Sequence, residues 1–290
     1  MVFVMFLIGA LAVAFVAALI AFVPARSLPV VLVIAGVILF LQFFFSDKIA
    51  AFAMGARPVT PEQYPDLHGV VDRLCALADM PKPRVAVAET PMPNAFATGR
   101  NPNNAVICVT TGLYDRWKRK ELTEQEFEGV LAHELSHVAH RDVLVITIAS
   151  FLGILAGLVA RMAFWFGLGD RRDNQNNGVP VQLIIILVSM VTYALSFLLT
   201  MALSRYRELA ADRAGALLTG NPSALASALV KITGDVAKIP TQDLRQVEAF
   251  NAFYFTPAFN KETAKSLFSS HPSTEKRLEQ LAQISQQLGR

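Results

Sequence analysis

The segment VLAHELSHVAHRD, at residues 130–142, contains the residue types that metal-dependent hydrolysis requires. Side chains four positions apart lie on one face of a helix, so the imidazoles of His133 and His137 can bind the same metal ion. Glu134 lies about 100° around such a helix from His133 and can accept a proton from water at that metal. The spacing therefore predicts one zinc ion, Zn2+, per chain, with Glu134 as the general base.

A catalytic zinc site usually has three protein ligands and leaves the fourth position for water, so a third ligand must come from elsewhere. His140 follows His133 by seven residues, roughly 10 Å along a straight helix, which is too far for it to bind the same ion. The metzincin spacing is also excluded, because it would place glycine at position 140 and histidine at position 143.

Glu208, in the segment SRYRELAADRAGA, is the better candidate for the third ligand. Asp212 follows it by four residues and lies on the same helical face, where its carboxylate can accept the outer N–H of a ligand imidazole. Taken alone, the two acids would also fit an exposed pair flanked by arginines, which contributes only about 0–1 kcal/mol. The arrangement of the apolar segments favours the ligand interpretation.

Four apolar segments must position these residues, and they indicate a membrane protein. The chain has 290 residues, of which 53% are hydrophobic and 17% charged, and this is too apolar for a soluble domain of that length. Each segment is near the length of about 20 residues that crosses the hydrocarbon core. The segments cover residues 2–23, 28–45, 143–168 and 181–203. A signal peptide is the rival interpretation of the first segment, but no Lys or Arg precedes it and it exceeds the usual apolar length of about 7–15 residues.

These segments divide the chain into two hairpins and two polar modules. The hairpins are residues 1–45 and 143–203, and the modules are residues 46–142 and 204–290. Two crossings separate His137 from Glu208 and return the chain to the same face of the membrane, which brings the two ligands together. Arg161, within the third segment, is costly in lipid and is expected to face protein, water or an interface.

The first polar module predicts a small antiparallel sheet ahead of the metal-binding helix. RVAVAE and NAFATGRNPNNAVICVTTGL contain β-branched runs that are interrupted by Gly, Asn and Pro. One helix is predicted from Thr60, with Pro61 at its first position, and another from Thr123, which can form a capping box with Glu126. The predicted fold is a mainly α membrane protein of the α+β class, with four transmembrane helices and a zincin-type catalytic domain.

Charge and cysteine content exclude two other classes. The net charge of +3 is spread evenly and forms no basic stripe with interleaved aromatics, so no nucleic acid partner is expected. Cys75 and Cys108 cannot form a disulfide framework and have no zinc-knuckle spacing. Both are expected to be reduced and buried.

The whole sequence resembles the HtpX-like membrane zinc endopeptidases, which are related to the CAAX prenyl-protein protease. The resemblance is carried by NAFATG, VLAHELSHVAHRD, SRYRELAADRAGA and the tail segment HPSTEKRL, together with the two hairpins. It implies that His133, His137 and Glu208 are zinc ligands. It also implies that Glu134 is the base and that Asp212 lies beside a ligand.

The resemblance further implies active-site roles for two tail residues and for one strand. His271 is expected to donate to the oxyanion of the transition state, and Arg277 to pair with an active-site carboxylate. The start of a helix at Pro272 and a solvated helix face remain the alternatives for these two residues. The strand is expected to pair with the substrate backbone, with an ordinary sheet edge as the alternative. Its residues are Asn94, Ala95, Phe96, Ala97 and Thr98.

The implied function is cleavage of misfolded or damaged membrane proteins, in quality control and the stress response. The expected partners are the lipid bilayer and membrane-protein or unfolded polypeptide substrates, with other quality-control proteases or regulators as further candidates. Lys and Arg are more numerous beside the motif than across the membrane, which predicts a cytoplasmic catalytic domain. The resemblance implies that this membrane is a bacterial inner membrane. The residues compared are Lys48, Arg57, Arg141, Arg205, Arg207 and Arg213 against Arg26, Arg171 and Arg172.

Two other functions stay open at the level of sequence. A site-2-type intramembrane metalloprotease would need the HExxH motif inside a span, whereas TEQEFEGVLAHELSHVAHRD is too charged for lipid. A non-catalytic membrane scaffold or chaperone would keep the fold without turnover.

Overall fold

The structure is a computed structural model of the chain and describes residues 1–23, 28–45, 48, 51–52, 54–166, 180–236 and 271–289. Arg26, Arg171 and Arg172, which enter the predicted charge comparison, lie outside the described residues. The elements follow the order α1 (Val2–Phe22), α2 (Leu28–Phe44), β1 (Ala56–Pro58), α3 (Pro65–Leu77), β2 (Arg84–Ala88), β3 (Ala95–Gly99), β4 (Ala105–Thr110), α4 (Thr111–Lys118), α5 (Glu124–Ala139), α6 (Asp142–Phe166), α7 (Val181–Thr219), α8 (Pro222–Val236) and α9 (Thr274–Gln287).

The chain forms two compact units, each built from two separate stretches of sequence. The first, which we call the apolar unit, comprises Met1–Phe43 and Val145–Leu203. The second, which we call the mixed unit, comprises Phe44–Leu144 and Ser204–Arg290. Helices α6 and α7 each contribute residues to both units.

The apolar unit has a hydrophobic interior and a hydrophobic surface. Phe15 of α1 packs in one cluster with Val31 of α2 and Leu152 of α6. Val13 and Leu187 are more than half exposed. Apolar patches of this kind are rare on soluble proteins, so the surface of this unit suits contact with lipid.

Among the described residues, three helices are long and apolar enough to cross a membrane, and they are α1, α6 and α7. Helix α2 has 17 residues, which span about 25 Å against a hydrocarbon core of about 30 Å. The predicted spans at residues 2–23, 143–168 and 181–203 therefore have helices of sufficient length. The predicted span at residues 28–45, which contains α2, is not confirmed. Arg161 is exposed near the end of α6, where a long side chain can extend to the headgroup layer.

The four strands of the mixed unit form one sheet in the order β1-β2-β4-β3. β1 pairs with β2, and β3 with β4, in antiparallel fashion, whereas β2 and β4 are parallel. The prediction of an antiparallel sheet is therefore wrong, and the sheet is mixed. β2 and β4 are continuous apolar runs that are buried almost throughout, as is typical of parallel strands that are covered on both faces. This pairing leaves β3 at the edge of the sheet.

Helix α3 begins later than predicted. Its first residue is Pro65, whereas Thr60 forms a preceding turn in which its carbonyl accepts the N–H of Tyr64. Proline is favoured at the first helical position because its missing N–H would have no partner there. Pro65 meets this condition in the fold, and Pro61 does not.

Helix α5 lies at the centre of the hydrophobic core of the mixed unit. The predicted capping box is confirmed, because the side chains of Thr123 and Glu126 each accept the other's backbone N–H. Phe127 and Leu131 of α5 pack in one cluster with residues of the sheet and of α8, and both are fully buried. Burying each such side chain contributes about 1.5–3 kcal/mol, so the core fixes the helix that carries the HExxH motif.

Candidate metal centre

The side chains of His133, His137 and Glu208 converge in the mixed unit, and their ligand atoms all lie within 4.8 Å of one another. Nε2 of His133 lies 3.3 Å from Nε2 of His137. The carboxylate oxygens of Glu208 lie 3.7 Å from the first of these nitrogens and 3.5 Å from the second. Ligand atoms about 2.0–2.1 Å from a tetrahedral zinc ion lie about 3.4 Å apart. The donor set and its spacing therefore fit zinc.

Close packing of α7 on α5 brings Glu208 to the two histidines. A Cβ atom at Gly215 of α7 would lie 2.8 Å from the backbone nitrogen of His133 and 3.1 Å from the carbonyl carbon of Ala132. Only glycine fits at this distance, so Gly215 sets how closely the helices approach. Asp212 precedes Gly215 by three residues and therefore lies on the same face of α7.

Asp212 lies beside the outer nitrogen of His133 and is itself bound by Arg277. Nδ1 of His133 lies 2.9 Å from Oδ1 of Asp212, and Arg277 donates two hydrogen bonds of 2.8 and 2.7 Å to the same carboxylate. Burial lowers the pKa of His133, although Asp212 favours the protonated form. His133 is therefore neutral, with Nδ1–H toward Asp212 and the lone pair of Nε2 toward the other ligands.

Glu134 contacts the edge strand β3. Its Oε2 atom accepts the backbone N–H of Ala97 at 3.2 Å, and the side chain is buried. Burial raises the pKa of Glu134 to about 8. A carboxyl group with a pKa near the working pH can both accept and donate a proton, as a general acid–base catalyst must.

Comparison with known proteins supports the chemistry of this site. The sequence profile of peptidase family M48 matches residues 61–285. Protease HtpX homolog 1 of Streptomyces coelicolor is 62% identical over 287 residues, which is 98% of this chain and 91% of that protein. The chain belongs to peptidase family M48. The HtpX homologs of Moorella thermoacetica and Methanosarcina acetivorans are 50% and 46% identical, over 98% and 99% of this chain and 93% and 95% of their own lengths.

Family membership, the ligand cluster and the apolar helices together identify a membrane metalloprotease that uses zinc. The resemblance seen in the sequence is thereby confirmed. Helix α5, which carries the HExxH motif, belongs to the mixed unit and is not one of the candidate spans. This position argues against an intramembrane protease, and membership of the M48 peptidases favours an enzyme over a non-catalytic scaffold.

In this M48 peptidase, the tail residues His271 and Arg277 lie beside the carboxylate of Glu208. Nδ1 of His271 is 2.9 Å from Oε2 of Glu208, and Nη1 of Arg277 is 4.0 Å from the same oxygen. Both tail side chains are buried. Arg277 therefore faces the carboxylates of Glu208 and Asp212 and not solvent, and it donates two hydrogen bonds to Asp212.

The strand expected to hold substrate is β3, together with Asn94 before it. Asn94 is fixed to the end of β4, because its backbone N–H donates to Oγ1 of Thr110 at 2.8 Å. Phe96 and Thr98 are buried, whereas Ala97 is half-buried and its N–H faces Glu134. Strand β3 and Glu134 are thus in direct contact.

Two residues of the site were missed in the sequence, and one further histidine lies apart from the ligands. Nδ1 of His137 donates to Oδ2 of Asp142 at 2.7 Å, and Arg207 donates to the other oxygen of Asp142. The available signal was an acid five residues after His137, but this separation is not a helical contact spacing. His140 donates from Nδ1 to the Ser136 carbonyl at 2.7 Å, within its own helix turn.

Proposed function

We propose that this M48 peptidase is a zinc endopeptidase that hydrolyses misfolded or damaged membrane proteins. The observation that carries the proposal is the convergence of His133, His137 and Glu208, which fits zinc, with the buried Glu134 close enough to Glu208 for the two carboxylates to interact. The quality-control task is supported by the apolar helices, because an enzyme anchored in a membrane would meet substrates of that membrane.

The residues around the ligands have distinct tasks in hydrolysis. When bound, zinc supplies a Lewis acid that polarises water and the scissile carbonyl. Glu134 accepts the proton of the attacking water and passes it to the leaving amine, so no covalent intermediate forms. The N–H of Ala97 holds Oε2 of Glu134 in place. His271 donates to the developing oxyanion, and Arg277 keeps Asp212 against His133.

An extended substrate pairs with the edge of the sheet. β3 has one sheet neighbour, β4, and main-chain hydrogen bonds to an edge strand recognise a backbone whatever its side chains are. The contact between Ala97 and Glu134 brings such a segment next to the base. This mode suits unfolded polypeptides of varied sequence better than a shaped pocket does.

The proposed topology has four crossings, with α2 as the second, and a catalytic domain in the cytoplasm of a bacterium. Lys48, Arg57 and Arg213 are exposed on the catalytic side, in keeping with the positive-inside rule. Cysteines placed at Asn174 and Thr263, both outside the described residues, test this orientation in a background without native cysteines. An impermeant thiol reagent should label the first in intact cells and the second only after lysis. Identical labelling would mean that residues 143–203 do not span.

Cleavage of an unfolded model protein by the purified chain, with and without a chelator, tests the activity. Glu134→Gln should bind zinc and lose hydrolysis, because it removes the base and keeps the ligands. Glu208→Gln should lose zinc as well, because a neutral amide is a poor substitute for a ligand carboxylate. Glu279→Gln, on an exposed position of α9, is the matched control and should behave as wild type. Cleavage by Glu134→Gln at the wild-type rate would refute the mechanism. Normal zinc affinity in Glu208→Gln would mean that the third ligand is a different residue.

A further inference from the structure

Both histidines of the HExxH motif have a carboxylate on the nitrogen that faces away from the other ligands. For His133 this carboxylate belongs to Asp212, at 2.9 Å. For His137 it belongs to Asp142, at 2.7 Å. A histidine that donates Nδ1–H in this way presents the lone pair of Nε2, which is the form that binds a metal.

The contact between His137 and Asp142 depends on an unusual turn between α5 and α6. Helix α5 ends at Ala139, and Arg141 has a φ angle of 54°, in the left-handed region. Such a conformation is unfavourable for a non-glycine residue. Asp142 is the first residue of α6, and after this turn its Oδ2 atom lies 2.7 Å from Nδ1 of His137.

Arg207 holds the carboxylate of Asp142 from the opposite side. Its Nη2 atom donates to Oδ1 of Asp142, and both side chains are about nine-tenths buried, at 10% relative exposure each. Arg207 directly precedes Glu208 on α7. One turn of this helix therefore supplies both a candidate metal ligand, Glu208, and the cation that binds the carboxylate beside His137.

The same sequence of contacts, from histidine to aspartate to arginine, occurs at the other histidine, His133. Arg277 donates two hydrogen bonds to Asp212, as Arg207 donates to Asp142. A buried carboxylate next to a neutral imidazole is costly unless a cation compensates it. The two arginines supply that compensation from different elements, α9 and α7.

We propose that Asp142, held by Arg207, is a positioning residue that fixes the tautomer and ring orientation of His137 for zinc binding. This inference rests on the proposed assignment of His137 as a zinc ligand. Removal of such an outer carboxylate typically weakens metal binding by about 10–100-fold. A purely structural ion pair would instead stabilise the start of α6 and leave zinc affinity unchanged.

The test measures zinc affinity in the full-length chain with Glu134→Gln as background, which prevents self-cleavage. Competition with a chelating dye gives the dissociation constant, and thermal unfolding of the zinc-free protein reports folding. Asp142→Asn keeps the size of the side chain and should weaken zinc binding by about 10–100-fold. Asp115→Asn, at an exposed position of α4, is the control and should bind as the background does. The visible spectrum of the Co²⁺-loaded protein reports ligand geometry. It should change in Asp142→Asn and stay unchanged in Asp115→Asn.

Arg207→Gln tests whether the arginine acts through Asp142. It should weaken zinc binding when Asp142 is present and add no further loss in the Asp142→Asn chain. Arg213→Gln, at an exposed position of the same helix, is its control. If the background binds zinc and Asp142→Asn binds it within twofold of the background, the positioning role is refuted and the ligand assignment stands. If the background itself binds no zinc, the ligand assignment fails and this inference with it.

Discussion

Substitution of Gly215 by alanine should damage the metal centre without changing any residue that contacts the ligand atoms. The new Cβ atom would lie 2.8 Å from the backbone nitrogen of His133 and 3.0 Å from its Cα atom. These atoms belong to the backbone of α5, which is held by the hydrophobic core and cannot move aside as a flexible side chain would.

The size of the effect follows from the distances. Restoring an ordinary contact of about 3.4 Å requires α7 to move away from α5 by about 0.6 Å. The distance from Nδ1 of His133 to Asp212 would then lengthen from 2.9 Å to about 3.5 Å, at the limit of a hydrogen bond. We expect zinc affinity to fall by about 10–100-fold and the free energy of unfolding to fall by about 1–3 kcal/mol.

The assay compares zinc dissociation constants and zinc-free unfolding in detergent for Gly215→Ala and Gly69→Ala. Gly69 lies on α3, and a Cβ atom there would meet nothing within 4 Å. Alanine at this open helical position should stabilise the protein by about 0.5–1 kcal/mol and leave zinc binding unchanged. If Gly215→Ala binds zinc as tightly as wild type and is equally stable, the close approach of α7 to α5 does not determine the site.

Three further predictions concern other parts of the mixed unit. Burial alone would raise the pKa of Glu126, but hydrogen bonds, led by that of Lys231, lower it below the ordinary 4.5. Its contribution to stability is therefore present above about pH 4.5 and is lost as the pH falls through the lower folded-state pKa, so Glu126→Gln should cost about 1 kcal/mol at pH 7 and little in acid. Burial raises the pKa of Cys75 to about 11 and that of Cys108 to about 12, so neither thiol should be alkylated at pH 8 until the protein unfolds, as mass spectrometry can follow. His271→Ala should retain zinc and lower kcat by about 10²–10³.

Each of these three predictions has a contrary result. If the effect of Glu126→Gln on stability did not depend on pH, the charge of Glu126 would not contribute to the stability of the protein. Rapid alkylation of the folded protein at pH 8 would mean that the thiols are accessible. Unchanged kcat in His271→Ala would mean that His271 has no role in catalysis. Loss of zinc in this variant would mean that His271 mainly holds the carboxylate of Glu208.

Local sequence was sufficient for the metal-binding helix. The capping box at Thr123 and Glu126 and the spacing of His133 and His137 involve residues three or four positions apart, which a helix places together whatever the rest of the chain does. Strands β2, β3 and β4 were also recognisable in the sequence, whereas β1 was not, because it contains no β-branched residue. The pairing of β2 with β4 was not, because strand order depends on which faces the helices cover.

The sequence by itself determined the chemical class of this protein, because the HExxH spacing and the apolar segments act through local geometry and composition. Chain topology also pointed to Glu208. Only the tertiary structure decided which carboxylate serves which imidazole. Asp212 reaches His133 because a glycine lets two helices approach, and Asp142 reaches His137 because one residue adopts a left-handed turn. Contacts of this kind depend on interhelical distance and on the backbone conformation between two helices, and no periodic pattern in the sequence encodes them.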